Sequence, residues 1–247
     1  MNEQRRTDTV DTTPVNLAWT AGWDSSFRLL SLILIEKRVV QPHYLLRPED
    51  SAGQEIDAMH RIQRQLFARY PESREFLLPK KIIDVRAVPI DVEMEADYEL
   101  IKGCRKVPEQ YLLLASYCRR EKIYEMELGI HNDDSGIHLA EERLFDRFRL
   151  PLKGFNKLQM LEVSKSAGFE DLMNLTVFCR RPRNGKPCGF CGPCHDAVSN
   201  GLGYRLPFLR RVKATSLVPL RRYWRESYGT MSPGLRAWVS RVLRGRY

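Results

Sequence analysis

Four of the six cysteines fall within sixteen residues, at positions Cys179, Cys188, Cys191 and Cys194. Their spacing, Cys-x8-Cys-x2-Cys-x2-Cys, lets four thiolates surround a metal ion, and the glycine and proline residues between them favour tight turns. Four thiolates with no carboxylate and no open position predict a structural Zn²⁺ site. An iron–sulfur cluster, a redox Cys-x-x-Cys pair, and His195 in place of one cysteine remain alternatives. We call residues 179–194 the cysteine knuckle.

A second polar group, Thr20, Ala21, Gly22, Trp23, Asp24, Ser25 and Ser26, lies between an apolar run and an apolar helical pattern. Backbone amides at the start of a helix point at a bound anion, and the helix dipole adds positive charge there. The small residues let the backbone close around a phosphate, and the three hydroxyls add donors. Asp24 would be repelled by phosphates unless it held a cation, which indicates Mg²⁺. The alternative is an ordinary turn capped by Asp24 or Ser25.

These groups must be positioned by regular elements, and the pattern predicts several. Apolar runs predict strands at residues 15–20, 42–47, 81–90 and 123–130, and helical spacing predicts helices at 25–37, 51–70, from Pro108 onward, and at 156–168. Strands that alternate with helices predict an α/β fold with a parallel sheet. The 20–26 loop and the polar turn 131–136, which contains Asp133 and Asp134, both follow strands, so we expect them at one ligand site.

Composition sets the broad class. The chain has 247 residues, of which 43% are hydrophobic and 29% charged, as in ordinary globular proteins. No apolar run approaches the roughly 20 residues that span a bilayer. The first dozen residues are polar and do not resemble a secretory signal, so we expect a cytoplasmic protein with reduced cysteines.

The net charge of +9 is concentrated at the C-terminal end, since residues 203–247 contain eleven Lys and Arg but one acid, Glu226. Apolar residues at helical spacing near the end, Leu235, Trp238, Val239, Val242 and Leu243, predict a basic amphipathic helix. It could pack on its own domain or a dimer mate, or bind an acidic partner, nucleic acid or a membrane surface. We therefore predict a flexible N-terminus (1–14), an α/β nucleotide-binding domain (15–175), a zinc knuckle with a helix (176–202) and a basic extension (203–247).

The loop Thr20-Ala21-Gly22-Trp23-Asp24-Ser25 resembles the PP-loop of ATP pyrophosphatases, S-G-G-x-D-S, with Thr for Ser and Ala for the first Gly. Together with the cysteine knuckle, it resembles the 7-cyano-7-deazaguanine synthase family. Further matching segments are Val107-Pro108 before a helix, Gly129 with the "NDDSG" turn, "PLKGFNKLQM" with Lys157, and "GQEIDAM" at 53–59. The resemblance covers about residues 15–200.

The resemblance implies ATP, Mg²⁺ and Zn²⁺ as cofactors and AMP-forming activation of a carboxylate, 7-carboxy-7-deazaguanine, on the way to an amide and then a nitrile. It implies that Asp24, Ser25 and Lys157 act in catalysis. The 20–26 loop, Gly129, Asp133 and Asp134 would bind the nucleotide. Lys157 or Arg105 would neutralise charge on the leaving group.

The sequence also departs from the family. Where the family has Gly-Arg-Asn, this chain has Glu109, Gln110 and Tyr111, so an arginine that could bind a carboxylate or phosphate is missing. The departures indicate a divergent paralogue. One alternative function is coupling of the activated acid to a protein or nucleic acid, as in antiviral defence. The other is an inactive binding module.

Overall fold

The computed structural model describes residues 13–48, 52–104, 107–131 and 142–216. The chain divides into two units, Met1–Phe178 and Cys179–Tyr247. The predicted flexible N-terminus lies almost wholly outside the described residues, and the predicted amphipathic helix around Trp238 lies entirely outside them.

The described part of the first unit alternates strands and helices, which confirms the predicted α/β class. Its strands are β1 (Val15–Ala18), β2 (Val40–Leu46), β3 (Lys81–Asp84), β4 (Met126–Glu127) and β5 (Phe148–Arg149). Its α-helices are α1 (Trp23–Leu30), α2 (Ala52–Arg69), α3 (Val92–Cys104), α4 (Gln110–Arg120), α5 (Lys157–Ser166) and α6 (Glu170–Met173).

The five strands form one parallel sheet in the order β3-β2-β1-β4-β5. The central strand is β1, in which Leu17 is aligned with Pro42 of β2 and with Glu127 of β4. The chain builds outward from β1 to β3 and then crosses back to place β4 on the other side of β1. In open parallel sheets, ligands bind at the carboxyl ends of the two strands where the order reverses. Here those strands are β1 and β4.

Helices cover both faces of the sheet. Because crossovers between parallel strands are right-handed, the reversal at β1 places α1 and α2 on one face and α3 and α4 on the other. Phe27 of α1 packs against Phe155 and Phe169, with ring centroids 5.8 and 6.3 Å away. On the opposite side, Tyr111 of α4 packs against Phe145 at 4.9 Å. Both faces are therefore buried, as the apolar strands require.

Several element boundaries differ from those predicted. The strand expected over 81–90 ends at Asp84, whose carboxylate accepts a hydrogen bond from the Arg86 amide (2.9 Å) and begins a 3-10 turn, Val85–Ala87. The strand expected over 123–130 is only the two residues of β4. The helix expected over 25–37 begins at Trp23 and continues from α1 into a π-helical turn, Ser31–Ile35. Local side-chain hydrogen bonds and tertiary pairing set these ends.

In the second unit, α7 (Gly192–Ser199) starts inside the cysteine knuckle, with Cys191 as its N-cap residue. A short 3-10 turn, Gly203–Arg205, follows, and residues 208–216 are helical. Across the described parts of both units, no helix has the length and apolar character needed to cross a membrane.

Candidate functional site

The loop between β1 and α1 is built around two small residues. Ala21 is fully buried and has a φ of +53°, in the left-handed region that favours glycine. Gly22 is the N-cap residue of α1 and has extended backbone. Since glycine has no side chain, the N-cap residue satisfies none of the first-turn amides of α1. The loop therefore presents a helix N-terminus of the kind that receives anions.

The hydroxyls of the loop divide into two groups. Ser26 is fully buried, and its Oγ accepts a hydrogen bond from Trp19 Nε1 (3.0 Å), so this hydroxyl takes part in core packing. Ser25 Oγ accepts a longer hydrogen bond from the Thr20 amide (3.3 Å) and lies 3.4 Å from Thr20 Oγ1. Trp23 is also buried, at the first position of α1. Thr20 and Ser25 thus place two neighbouring hydroxyl groups on one side of the loop.

The end of β4 lies directly against the start of α1. A Cβ added at Gly129 would lie 2.7 Å from the Ser25 amide nitrogen and 3.1 Å from the Asp24 carbonyl carbon. Glu127, two residues earlier, forms a two-pronged ion pair with Arg28 of α1, at 2.6 and 3.0 Å. Burial disfavours the charge on Arg28, but its hydrogen bonds to Glu127 and Glu36 outweigh that effect and raise its pKa. These contacts hold the end of β4 against α1, the helix that follows β1.

Asp24 lies between two basic side chains. Its Oδ2 is 3.6 Å from Lys157 Nζ, and its Oδ1 is 3.8 Å from His131 Nε2. His131 is buried four residues after the end of β4, and Lys157 is the first residue of α5. The structure therefore brings together residues that follow β1, follow β4 and begin α5.

The position of Lys157 is fixed by local and tertiary contacts. Asn156 and Gln159 form a capping box, in which each side chain hydrogen-bonds the other's backbone amide (2.9 and 2.8 Å). This confirms the start of α5 that the sequence predicts from its Asn cap. Phe155, just before the cap, packs on Phe27 of α1 and holds the start of α5 beside the 20–26 loop.

Sequence patterns did not assign Glu127 or Arg28 to the site, and they left His131 as either an acid–base group or, more commonly, a surface or packing histidine. His131 follows a strand end, as ligand-binding residues in parallel sheets do, and that position was its only local signal. The Arg28–Glu127 pair joins residues far apart in the sequence, so no local spacing predicts it. Asp133, Asp134 and Arg105 lie outside the described residues, and their predicted roles stay predictions.

The cysteine knuckle has the geometry of a metal centre. The Sγ atoms of Cys179, Cys188, Cys191 and Cys194 all lie within 4.8 Å of one another. Three of the separations are 3.4, 3.9 and 3.9 Å. Four sulfurs at the usual Zn–S distance of about 2.3 Å stand about 3.8 Å apart in a tetrahedron. The four-cysteine cluster could therefore hold a metal such as zinc.

Backbone amides around the cluster favour thiolates. The amides of Phe190 and Cys191 both donate to Cys188 Sγ at 3.4 Å, and the Gly189 amide donates to Cys194 Sγ at 3.4 Å. Hydrogen bonding with Cys194 lowers the pKa of Cys191, whereas the same hydrogen bond raises the pKa of Cys194 and burial raises that of Cys179, so Cys191 is the thiol most readily ionised without a metal. These donors stabilise negative charge on sulfur, the form that binds metal.

The helix at 208–216 is tied to the knuckle through Arg210. Its Nη1 donates to the backbone carbonyls of Lys186 (3.0 Å) and Pro187 (2.8 Å). Gly189 has a φ of +81°, and a Cβ added there would lie 2.8 Å from the Arg210 carbonyl oxygen. The knuckle and the first part of the basic extension therefore fold as one body.

No protein-family model matches the sequence, and no curated protein or solved structure matches it.

Proposed function

We propose that the chain activates a carboxylate by AMP-forming cleavage of ATP at the sheet reversal, with a 7-deazaguanine acid as the substrate. The observation that carries the proposal is the position of Asp24. This acid lies 3.6 Å from Lys157, in the first turn of a helix whose N-cap residue is glycine. An anion-receiving helix start with an acid and a cation beside it suits a nucleotide with its metal ion.

The backbone of the 20–26 loop supports the nucleotide part of the proposal. Ala21 adopts the left-handed conformation that the first glycine of a PP-loop would supply. Gly22 keeps a side chain away from the start of α1, where a phosphate group would approach the amides that the backbone of Gly129 does not cover. Thr20 and Ser25 add hydroxyl donors on one side. These features are local and do not depend on the identity of the acid.

Each side chain has a role in the proposed reaction. A carboxylate oxygen of the substrate attacks the α-phosphorus of ATP, the bond to the bridging oxygen breaks, and pyrophosphate leaves. The loop amides and Ser25 hold the departing phosphates, and Lys157 neutralises their growing charge. Asp24 would hold Mg²⁺, which supplies charge neutralisation when bound. Ammonia then displaces AMP to form the amide. A second ATP is consumed when the amide is dehydrated to the nitrile.

One observation favours a second candidate function, in which the activated acid is joined to a macromolecule. Tyr111, at the position where the resembled family has an asparagine, is buried and packs on Phe145. It fills the core instead of offering a polar group to a small substrate. Glu109 and Gln110, which stand where the family has glycine and arginine, are exposed. A different acid or acceptor would suit this altered turn.

The test is product analysis with ATP, Mg²⁺ and 7-carboxy-7-deazaguanine, with and without ammonia, together with two lysine variants. The proposal predicts AMP and pyrophosphate, and a loss of turnover by about 100-fold in Lys157→Met. Lys153→Met is the matched control, because Lys153 is exposed and lies outside the site. Formation of ADP, or equal losses in both variants, would contradict the proposal. AMP without an ammonia-dependent product would favour the macromolecular acceptor.

A further inference from the structure

We propose that the second unit binds single-stranded nucleic acid through the surface formed by the cysteine knuckle and the helix at 208–216. We call this surface the knuckle patch and define it by Arg181, Arg183, Lys186, Phe208, Arg211 and Lys213. The inference does not depend on the proposed ATP chemistry, because it rests on a different part of the chain.

Charge in this unit is strongly one-sided. Residues 179–247 contain fifteen Lys and Arg and two acids, and the described part, 179–216, contains eight and one. Residues 1–178 contain twenty-five Lys and Arg and twenty-nine acids. The positive charge therefore belongs to the unit that carries the knuckle, not to the chain as a whole. A basic surface of this kind attracts phosphates.

The cations are neighbours in space as well as in sequence. Arg210 binds the backbone carbonyls of Arg183 and Lys186, so the 183–187 turn lies against the helix at 208–216. Lys213, one turn further along that helix, has its Nζ 5.8 Å from the centre of the Phe190 ring inside the knuckle. The 183–187 turn and the helix at 208–216 therefore pack together, and each of them carries cations of the knuckle patch.

These cations are exposed and are not used in ion pairs within the described part of the unit. Arg181, Arg183, Lys186 and Lys213 are all exposed, and none of the ion pairs among the described residues includes them. In the first unit, by contrast, some exposed arginines, among them Arg69 and Arg149, pair with carboxylates. Exposed cations without acidic partners remain available to a polyanion.

Aromatic side chains favour a single strand as the partner. Phe208 is 66% exposed and Tyr204 is 45% exposed. The Arg211 guanidinium lies 5.6 Å from the centre of the Phe208 ring. Unpaired bases stack on exposed aromatic rings while nearby cations bind the phosphates, and a duplex offers no such free base faces.

The test is fluorescence anisotropy of a labelled single-stranded oligonucleotide of mixed sequence, titrated with the full-length protein at several salt concentrations. Arg181→Gln with Arg183→Gln removes two cations of the knuckle patch. We expect at least about a tenfold loss of affinity, with the salt slope falling by about 0.7 for each lost phosphate contact. The matched control is Arg61→Gln with Arg64→Gln, two exposed arginines of α2, which should leave affinity and slope unchanged.

Phe208→Ala separates stacking from charge, because it should weaken binding while leaving the salt slope unchanged. The bound metal and the circular dichroism spectrum are measured for each variant to check that the knuckle remains folded. The proposal is overturned if the wild-type chain does not bind the oligonucleotide at low salt, or if both arginine pairs lose affinity equally. Binding only to anionic phospholipid vesicles, or tighter binding to a duplex with no effect of Phe208→Ala, also overturns it.

Discussion

The backbone of Gly129, just after β4, lies so close to Ser25 at the start of α1 that a Cβ at Gly129 would stand 2.7 Å from the Ser25 amide nitrogen. The neighbouring atom is main chain, so it cannot move aside as a flexible side chain would. This contact joins the two strand ends at the reversal of the sheet. It explains why a glycine stands at this position whatever the bound ligand is.

Gly129→Ala should therefore displace the 20–26 loop and lower the free energy of unfolding by about 1–3 kcal/mol. Gly154→Ala is the matched control, because no atom lies within 4 Å of a Cβ added there. Urea unfolding of the two variants gives the comparison. Equal free energies of unfolding in the two variants would show that the backbones of Gly129 and Ser25 are not in close contact.

Ala21→Gly should stabilise the protein. A non-glycine residue in the left-handed region costs about 1–2 kcal/mol, and glycine removes that strain, although its greater freedom in the unfolded chain and the loss of the buried Ala21 methyl group offset part of the gain. We expect a net change between about 0 and 1 kcal/mol in favour of the variant. In Ala68→Gly, at an exposed position of α2, the same substitution should instead destabilise by about 1 kcal/mol. Thermal unfolding of both variants checks the opposite signs.

Metal content and cysteine substitutions test whether the cysteine knuckle is a zinc site. We expect a single zinc ion per chain, measured by elemental analysis, and a colourless protein, which excludes an iron–sulfur cluster. Cys191→Ser should lose the metal and the helical signal of the second unit. Cys104→Ser should keep both, since Cys104 is an exposed free cysteine outside the cluster. Retention of zinc by Cys191→Ser would contradict the four-cysteine site.

Stability should fall as the pH drops through the titration of His43. His43 in β2 is buried, with Nε2 donating to Asn16 Oδ1 (2.9 Å) and Nδ1 accepting from the Tyr117 hydroxyl (3.0 Å). Burial, aided by Lys81 and opposed by Glu121, lowers its pKa from 6.5 to about 4. The folded state thus favours neutral His43. The stabilisation that comes from keeping His43 neutral is complete above pH 6.5 and is lost between pH 6.5 and about 4. The free energy of unfolding falls by up to about 3 kcal/mol over this range.

His43→Gln removes this titration and serves as the comparison. Glutamine can still donate to Asn16 and accept from Tyr117, so the variant should fold. Urea unfolding at several pH values should show a shallower loss of stability below pH 6.5 in the variant than in the wild type. Parallel pH curves for the two proteins would mean that His43 is not held neutral by the fold.

The parts of the site that depend on local sequence were predictable. The cap of α5 at Asn156, the turn at Gly22 and the spacing of the four cysteines are all readable from neighbouring residues. The Asp24–Lys157 approach was expected only from a resemblance, because local spacing does not bring α1 and α5 together.

Other features were not predictable from local patterns. Helix α3 was not predicted because its apolar residues do not fall on one side, as Val92 and Leu100 are exposed while Met94 and Tyr98 are buried. The contact of Arg210 with the knuckle is also tertiary, since it joins backbone carbonyls to a side chain of a later helix. The start of α3 is nevertheless marked locally, because the Asp91 carboxylate accepts hydrogen bonds from the amides of Glu93 and Met94.

The most direct test of the proposed function is whether an oxygen of the substrate carboxylate is transferred to AMP. If the acid attacks the α-phosphorus of ATP, one of its oxygens must leave in AMP when the acyl group is transferred. With 7-carboxy-7-deazaguanine labelled in its carboxylate with a heavy oxygen isotope, mass spectrometry should find one labelled oxygen in AMP. Unlabelled AMP, or ADP as the nucleotide product, would contradict activation of the acid at Asp24 and Lys157.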